Sequence, residues 1–339
     1  MTFLILFVFL GAATLAMPIA HAILVAAMAA AVSSDRVPFD LLVQQMVAQV
    51  QSFPLIAIPF FMLTGSLMMG GKLGQAIVGT LTVLVGRWHG GPAQVSVLSS
   101  TLFGGVSGSA VADASAIGSL VMPWHRRLGY PMAFSAASLA SAATIDIIIP
   151  PSIPMILYGV SAEVSIGELF IAGFGPGLFI GAALMFWVWI YCKYKGWGKN
   201  DGEGRLSFGK ASWQAGWALM MPVIILGGIY GGVFTPTEAS AVAVFYALIV
   251  GTLIYREIKL KDLAIIMRKS VLSSAVIMFI IANAGLFAFL ITRAGIPDAI
   301  GLWLTAVLPK DTEADASFRL KQEEGSRLAQ QPLPYSLTE

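Results

Sequence analysis

Charge is scarce in this sequence, and most function classes fail on that ground. Only 11% of the 339 residues are Asp, Glu, Lys or Arg, against roughly 25% in soluble domains. A net charge of +2 is too small to attract nucleic acid, so no nucleic-acid partner is expected. A single cysteine, Cys192, excludes an internal disulfide. The three histidines, His21, His89 and His125, lie far apart without metal-ligand spacing, so neither a transition-metal site nor a resident cofactor is expected. A basic lead-in before the first apolar run is also missing, so residues 2–33 read as retained spans and not as a cleaved signal.

Apolar residues fill the space, 57% of the chain, for a mean hydropathy of +0.82. The runs 2–33, 53–71, 93–123, 131–162, 169–192, 214–254 and 270–292 reach or exceed the ~20 residues that cross a bilayer as helix. The fold class is therefore an all-α, multi-pass membrane protein in a lipid bilayer. Residues 2–33 are long enough to cross twice with a break near Pro18. Residues 73–88, bracketed by Gly70, Gly71, Lys72 and Arg87, are too short to span and read as an interfacial arm helix.

Basic residues cluster at His125–Arg127, at Lys193, Lys195, Lys199, Arg205 and Lys210, and at Arg256, Lys259, Lys261, Arg268 and Lys269. By the positive-inside rule these three loops are cytoplasmic, while the loop 34–52, with Arg36 against Asp35 and Asp40, lies outside. A faint internal repeat crosses this division. The stretch from Phe9 resembles that from Gly231, with Pro18 on Pro236, and "FFMLTGSLMMGGKLGQAI" resembles "FIIANAGLFAFLITRAGIPDAI", with Gly65 on Gly285. The loops after the first match fall on opposite sides, which is the pattern of inverted repeats in secondary transporters. Residues 1–212 then form a first repeat and 213–309 a partial second one. Ten of the thirty residues in 310–339 are charged, and this tail reads as disordered.

The run 93–123 has a glycine-serine centre, "GGVSGSAVADASAIG", and basic residues on both flanks. Irregular backbone at membrane depth is tolerated only where protein or a cavity covers it, so the run reads as a re-entrant hairpin. Its tip residues Ser107, Gly108 and Ser109 offer half-helix ends to an ion, and Asp113 follows one helical turn later. The same small residues also suit plain close packing of helices, and Asp113 also suits a helix cap. In "TIDIIIPPSIPMILY" the prolines Pro150, Pro151 and Pro154 break the helix 131–162 and free the carbonyls of Ile147, Ile148 and Ile149. Ile148, Ile149 and Pro150 join the cation candidates, with Asp146 and Ser152 as substrate candidates. A ligand-free proline kink is the alternative, and it leaves Asp146 unexplained. Thr235 or Thr237 before Glu238 reads as a structural helix cap.

Taken in order, "FGGVSGSAVADASAIG", "IIPPSIPMILYG", "LFIAGFGPG" and "GVFTPTEASAVAVFYAL" resemble the large membrane subunit of tripartite ATP-independent periplasmic (TRAP) transporters over about residues 1–309. The resemblance implies an elevator-type, inverted-repeat secondary transporter in the bacterial inner membrane. It further implies a small four-helix membrane subunit and a periplasmic solute-binding protein as partners, sodium as coupling ion, and uptake of organic acids such as dicarboxylates or sialic acid. The first hairpin's cation ligands map onto Ser107–Ser109 and the unwound helix onto Pro150, Pro151 and Ser152. Asp146 stands where the family often has glycine. A second hairpin and a second broken helix should follow residue 309 and do not, so the second repeat reads as incomplete and the chain is expected not to finish a transport cycle. A non-transporting remnant that binds the small subunit is thus an alternative. An intramembrane aspartyl protease using Asp113 and Asp146 is a remote one, because the Gly-x-Gly-Asp context of such proteases is absent.

Overall fold

The computed structural model describes residues 2–33, 38–69, 72–197, 208–256 and 258–307. The polar tail 310–339, and the basic residues Lys199 and Arg205 used in the charge count, lie outside the described residues. Among those described, the chain is helical throughout: α1 (Thr2–Thr14), α2 (Ile19–Val32), α3 (Phe39–Val50), α4 (Ala57–Met69), α5 (Lys72–Val85), α6 (Gly91–Ser107), α7 (Ala110–Arg127), α8 (Met132–Ala143), α9 (Ile153–Ser161), α10 (Ile166–Lys195), α11 (Phe208–Tyr230), α12 (Pro236–Ile249), α13 (Leu260–Arg293) and α14 (Ile296–Val307). Three described helical stretches, Ile166–Lys195, Pro236–Ile254 and Lys261–Arg293, are each long and apolar enough to cross a membrane. The protein is a multi-pass membrane protein.

The described residues divide into two compact units, one drawn from 2–49 with 279–307 and the other from 50–278. In the first, α1 and α2 pack side by side, with Pro18 at the N-cap of α2. They have 13 and 14 residues, or about 20 Å each, well under the ~30 Å of a hydrocarbon core. Alanines Ala27, Ala30 and Ala31 let α2 close on Leu286 and Leu290 of α13, with Ile5 and Leu42 completing the core. The Asn283 amide donates to the carbonyl of Ala20 at 3.2 Å, which spares that buried polar end a desolvation cost.

In the second unit α6 is the central element, packed by α5, α7, α8 and α10. Its side chains from Ala93 to Val97 are buried. Gln94 donates its amide to the Met185 carbonyl at 2.8 Å, fastening α6 to α10. The arm helix α5 buries Ile77, Leu81 and Val85, one stripe at helical spacing, and has 14 residues, too few to span. Beside it α11 and α12 pack as a pair, and the turn between them ends in a capping box, Thr235 with Glu238. Helix α10 outruns the apolar segment 169–192 at both ends. Ser165 caps its first turn by accepting from the Glu168 N–H at 3.3 Å, and Gly196, at φ +68°, ends it.

One polar group closes the base of the α6–α7 pair. His125, 1% exposed, lies near the end of α7, and its ring hydrogen-bonds the backbone of Pro92 at the start of α6. Proline has no N–H, so its carbonyl accepts and the imidazole donates. Nδ1 lies 2.8 Å from the Ser135 hydroxyl of α8, so the neutral tautomer carries its proton on Nε2 and accepts from Ser135 at Nδ1. Burial pulls this imidazole down to about 4 from its ordinary 6.5, against the opposing pull of the Pro92 carbonyl. An unfolded His125 takes up a proton below 6.5 while the folded one refuses it until about 4. Its contribution to stability is complete above pH 6.5, declines as pH falls toward 4, and is flat below. In detergent, the thermal midpoint of the wild type should therefore drop across that window more steeply than that of His125→Gln; parallel curves would refute the role.

Candidate functional site

The turn between α6 and α7 falls at Gly108 and Ser109. Gly108 has φ +59°, a left-handed conformation that costs an L-residue with a Cβ about 1–2 kcal/mol. Ser109 is extended and serves as the N-cap of α7, its carbonyl accepting from the Asp113 N–H at 3.0 Å. The side chain of Ser107 lies outside the described residues.

Opposite this tip the helix of residues 132–161 comes apart. It leaves α-geometry at Thr144, runs as a 3₁₀ turn to Ile147, and resumes only at Ile153. Proline explains the break: Pro150 and Pro151 can neither donate to a helical ladder nor let the residue before them stay helical. The peptide bond joining them is cis. The tip and the break touch. A Cβ added to Gly108 would lie 3.0 Å from the Pro151 carbonyl oxygen and 3.1 Å from the Ile153 nitrogen. Gly104, one turn earlier, lies over Asp146, whose Cα would be 2.7 Å from such an added carbon.

Not every carbonyl freed by the prolines stays free. The Ser152 hydroxyl donates to Ile147 O at 2.6 Å, which corrects the expectation that the prolines leave this carbonyl free. The hydroxyl of Ser152 is committed by the same bond, and the residue is fully buried. Ile149 and Pro150 are buried and Ile148 is half-buried.

Asp113 and Asp146 are both 0% exposed, and their carboxyls lie near enough to interact electrostatically. They come from different elements, α7 and the 3₁₀ turn, 33 positions apart in sequence. Helices α6 and α8, which flank them, carry no Lys, Arg or His, and the basic residues of α7 begin only at His125. The site is therefore an acid pair without a basic counter-charge on these helices. Such an arrangement costs several kcal/mol per ion unless a cation or proton sits with it.

The backing of the break was not recognised from residue chemistry alone. Gly173 and Gly177 form a small-residue face on α10, four positions apart. A methyl group at Gly173 would fall 2.6 Å from Ile148 O, and one at Gly177 would fall 2.4 Å from Cγ1 of Ile149. The signal was present in "LFIAGFGPG", as glycine spacing on one helical face. Ser99 and Ser100 of α6 were also missed; both are fully buried with hydroxyls that find no partner among the described residues.

With this geometry in view, the comparisons with known proteins are decisive. Residues 3–313 match the family described as the tripartite ATP-independent periplasmic transporter, DctM component. The chain belongs to that family. It is 39% identical to a putative TRAP transporter large permease protein of Haemophilus influenzae, over 90% of this chain and 72% of that protein. It is 40% identical to the 2,3-diketo-L-gulonate TRAP transporter large permease protein YiaN of Escherichia coli, over 85% and 68% of the two chains. To the C4-dicarboxylate TRAP transporter large permease protein DctM of Rhodobacter capsulatus it is 35% identical, over 79% and 64%. The chain thus spans about two thirds to three quarters of these relatives' own lengths. These are permease subunits and not enzymes, which disposes of the aspartyl-protease reading of Asp113 and Asp146.

The packing makes a graded expectation. Gly108→Ala should cost about 1–2 kcal/mol from its backbone alone, and Gly177→Leu about 1–3 kcal/mol or more by driving α10 off the break. Ser152→Ala should cost about 0.5–1.5 kcal/mol. Thermal unfolding of the purified chain checks the order; a Gly177→Leu protein as stable as wild type would mean that the α10 contact is slack.

Proposed function

We propose that this chain is the permease subunit of a sodium-driven, binding-protein-dependent uptake system for organic acids in the bacterial inner membrane. A small four-helix membrane subunit and a periplasmic solute-binding protein would be its partners. The observation that carries the reading is the contact between a glycine-serine hairpin tip and a proline-unwound helix, with two buried carboxyls beside it. Ion sites in secondary transporters are built at such junctions, where half-helix ends and unwound carbonyls meet near the bilayer midplane. Sodium would take its oxygens from the segment Ser107–Ser109, from Asp113, and from the main chain at Ile148, Ile149 and Pro150. An organic acid would approach from the Ser152 side. Asp146, read from sequence as a substrate contact, suits the cation better, since an anion would meet two carboxyls there.

The elevator reading draws support from the order of elements. Shifting the first half by the 218–220 positions of the repeat lays α1 and α2 on α11 and α12, α4 on the C-terminal part of α13, and α5 on α14. Sequence names support the substrate class: the E. coli and R. capsulatus relatives are named for 2,3-diketo-L-gulonate and C4-dicarboxylates. A second reading is a subunit that binds its small partner without transporting.

Two measurements separate these. Sodium should raise the thermal midpoint of the purified chain while potassium at equal ionic strength does not, because a ligand that binds only the folded state stabilises it. Ser109→Ala and Asp113→Asn should each shrink that rise. Equal responses to the two ions would sink the sodium site. In proteoliposomes with both partners, organic-acid uptake driven by a sodium gradient supports the permease; sodium stabilisation without uptake supports the non-transporting subunit.

A further inference from the structure

The unit formed by residues 50–278 carries a second feature, remote in chemistry from the acid pair. A cleft of about 630 Å³ opens between the turn Arg87–Trp88 and the α10 face made by Ala182, Met185, Phe186 and Trp189. Its floor is apolar and aromatic, and Phe186 stacks near Trp189 with ring centres 6.4 Å apart. Its mouth is cationic. Arg87 is exposed at one lip, and Lys193, which does not itself line the cleft, holds its Nζ 4.7 Å over the ring of the lining Trp189. No carboxylate lines the cleft.

The depth of the cleft has a direction. Along α10, Ala182 and Lys193 are eleven residues apart, about 16 Å, so the floor sits well inside the apolar part of a span whose basic end is at Lys193 and Lys195. The chain just after Arg126 and Arg127 packs at the same end. Gly90 lies against Cys192, and Tyr130, just after Arg126 and Arg127, packs with Ala93, Val188 and Cys192. The exposed rings of Trp88 and Trp187 sit where amphipathic aromatics favour the membrane–water boundary.

We propose that this cleft holds an anionic phospholipid, its phosphate between Arg87 and Lys193 and one acyl chain along Ala182, Met185 and Phe186. A partner helix would cover the same apolar floor, but it gives no reason for two cations at the mouth without a carboxylate between them. A lipid phosphate does, and the cytoplasmic leaflet, to which the basic loops point, supplies it. The inference rests on the membrane span of α10 and not on which ion drives transport.

The test uses the whole chain purified in detergent, with bound lipid counted by native mass spectrometry and affinity read from thermal midpoints. Phosphatidylglycerol should bind and stabilise more strongly than phosphatidylethanolamine. Arg87→Gln and Lys193→Gln, both exposed changes that spare the fold, should each weaken phosphatidylglycerol about five-fold and leave phosphatidylethanolamine unchanged. Arg256→Gln, a basic residue away from the cleft, should change neither. Ala182→Trp, which fills the floor, should weaken both lipids. Equal affinities for the two lipids, or indifference to both charge removals, would overturn the proposal. So would a Trp88→Cys variant that cross-links to the small membrane subunit in coexpressing cells.

Discussion

Everything in the larger unit answers to one constraint: backbone that is not helical has no water to turn to at membrane depth. Past the 3₁₀ turn, the break up to Ser152 leaves carbonyls outside the α-helical ladder, and each would cost several kcal/mol against lipid. Protein covers the break on each side that its contacts reveal. The hairpin tip at Gly108 meets Pro151 and Ile153, α10 lays glycines against Ile148 and Ile149, and Ser152 turns its hydroxyl back onto Ile147. The glycines are there because the cover must be close, and closeness to backbone leaves no room for a Cβ.

The electrostatics follow from the same enclosure. Asp113 and Asp146 would be unremarkable on a wet surface, where two carboxylates repel weakly through a high dielectric. Sealed under Gly104 and flanked by α6 and α8, which carry no basic residue, they need a positive charge, a cation or a proton, as a structural component and not only as cargo. An ion bound there would contribute to the stability of the junction as well as to any transport. Gln94 and His125 follow the opposite strategy, since each is buried but neutral and finds a carbonyl to donate to.

Much of this was legible in the residues because the signals were local. The hairpin turn could be read from a glycine-serine run between basic flanks, the break from three prolines within five residues, and a threonine cap of α12, at Thr235 or Thr237, from the polar turn before Glu238. What was hidden depended on contacts between distant segments. Asp113 and Asp146 were each conspicuous, yet no local pattern says which of Asp146's neighbours across the fold is a carboxyl. Ile147 looked as free as Ile148 until the structure turned Ser152 toward it. His125 read as one more positive mark at a loop, because pairing with Pro92 and Ser135 requires three separate helix ends to converge. The ends of α10 were misjudged for a simpler reason: a cap such as Ser165 and Glu168 is polar, and an apolar run stops short of it.

The α6–α7 hairpin is held very differently at its two ends. At its base, His125 ties α7 to Pro92 on α6 and to Ser135 on α8 through directed hydrogen bonds, and Tyr130 stacks its ring edge on the imidazole 5.1 Å away. At its tip, the hold on the broken helix includes the bare approach of Gly108 to Pro151 and Ile153, a contact of surfaces and not of bonds. The base is therefore fixed in direction by its bonds, whereas the seating of Gly108 depends on how closely two surfaces fit, so one added methyl group there would disturb the tip and leave the base untouched.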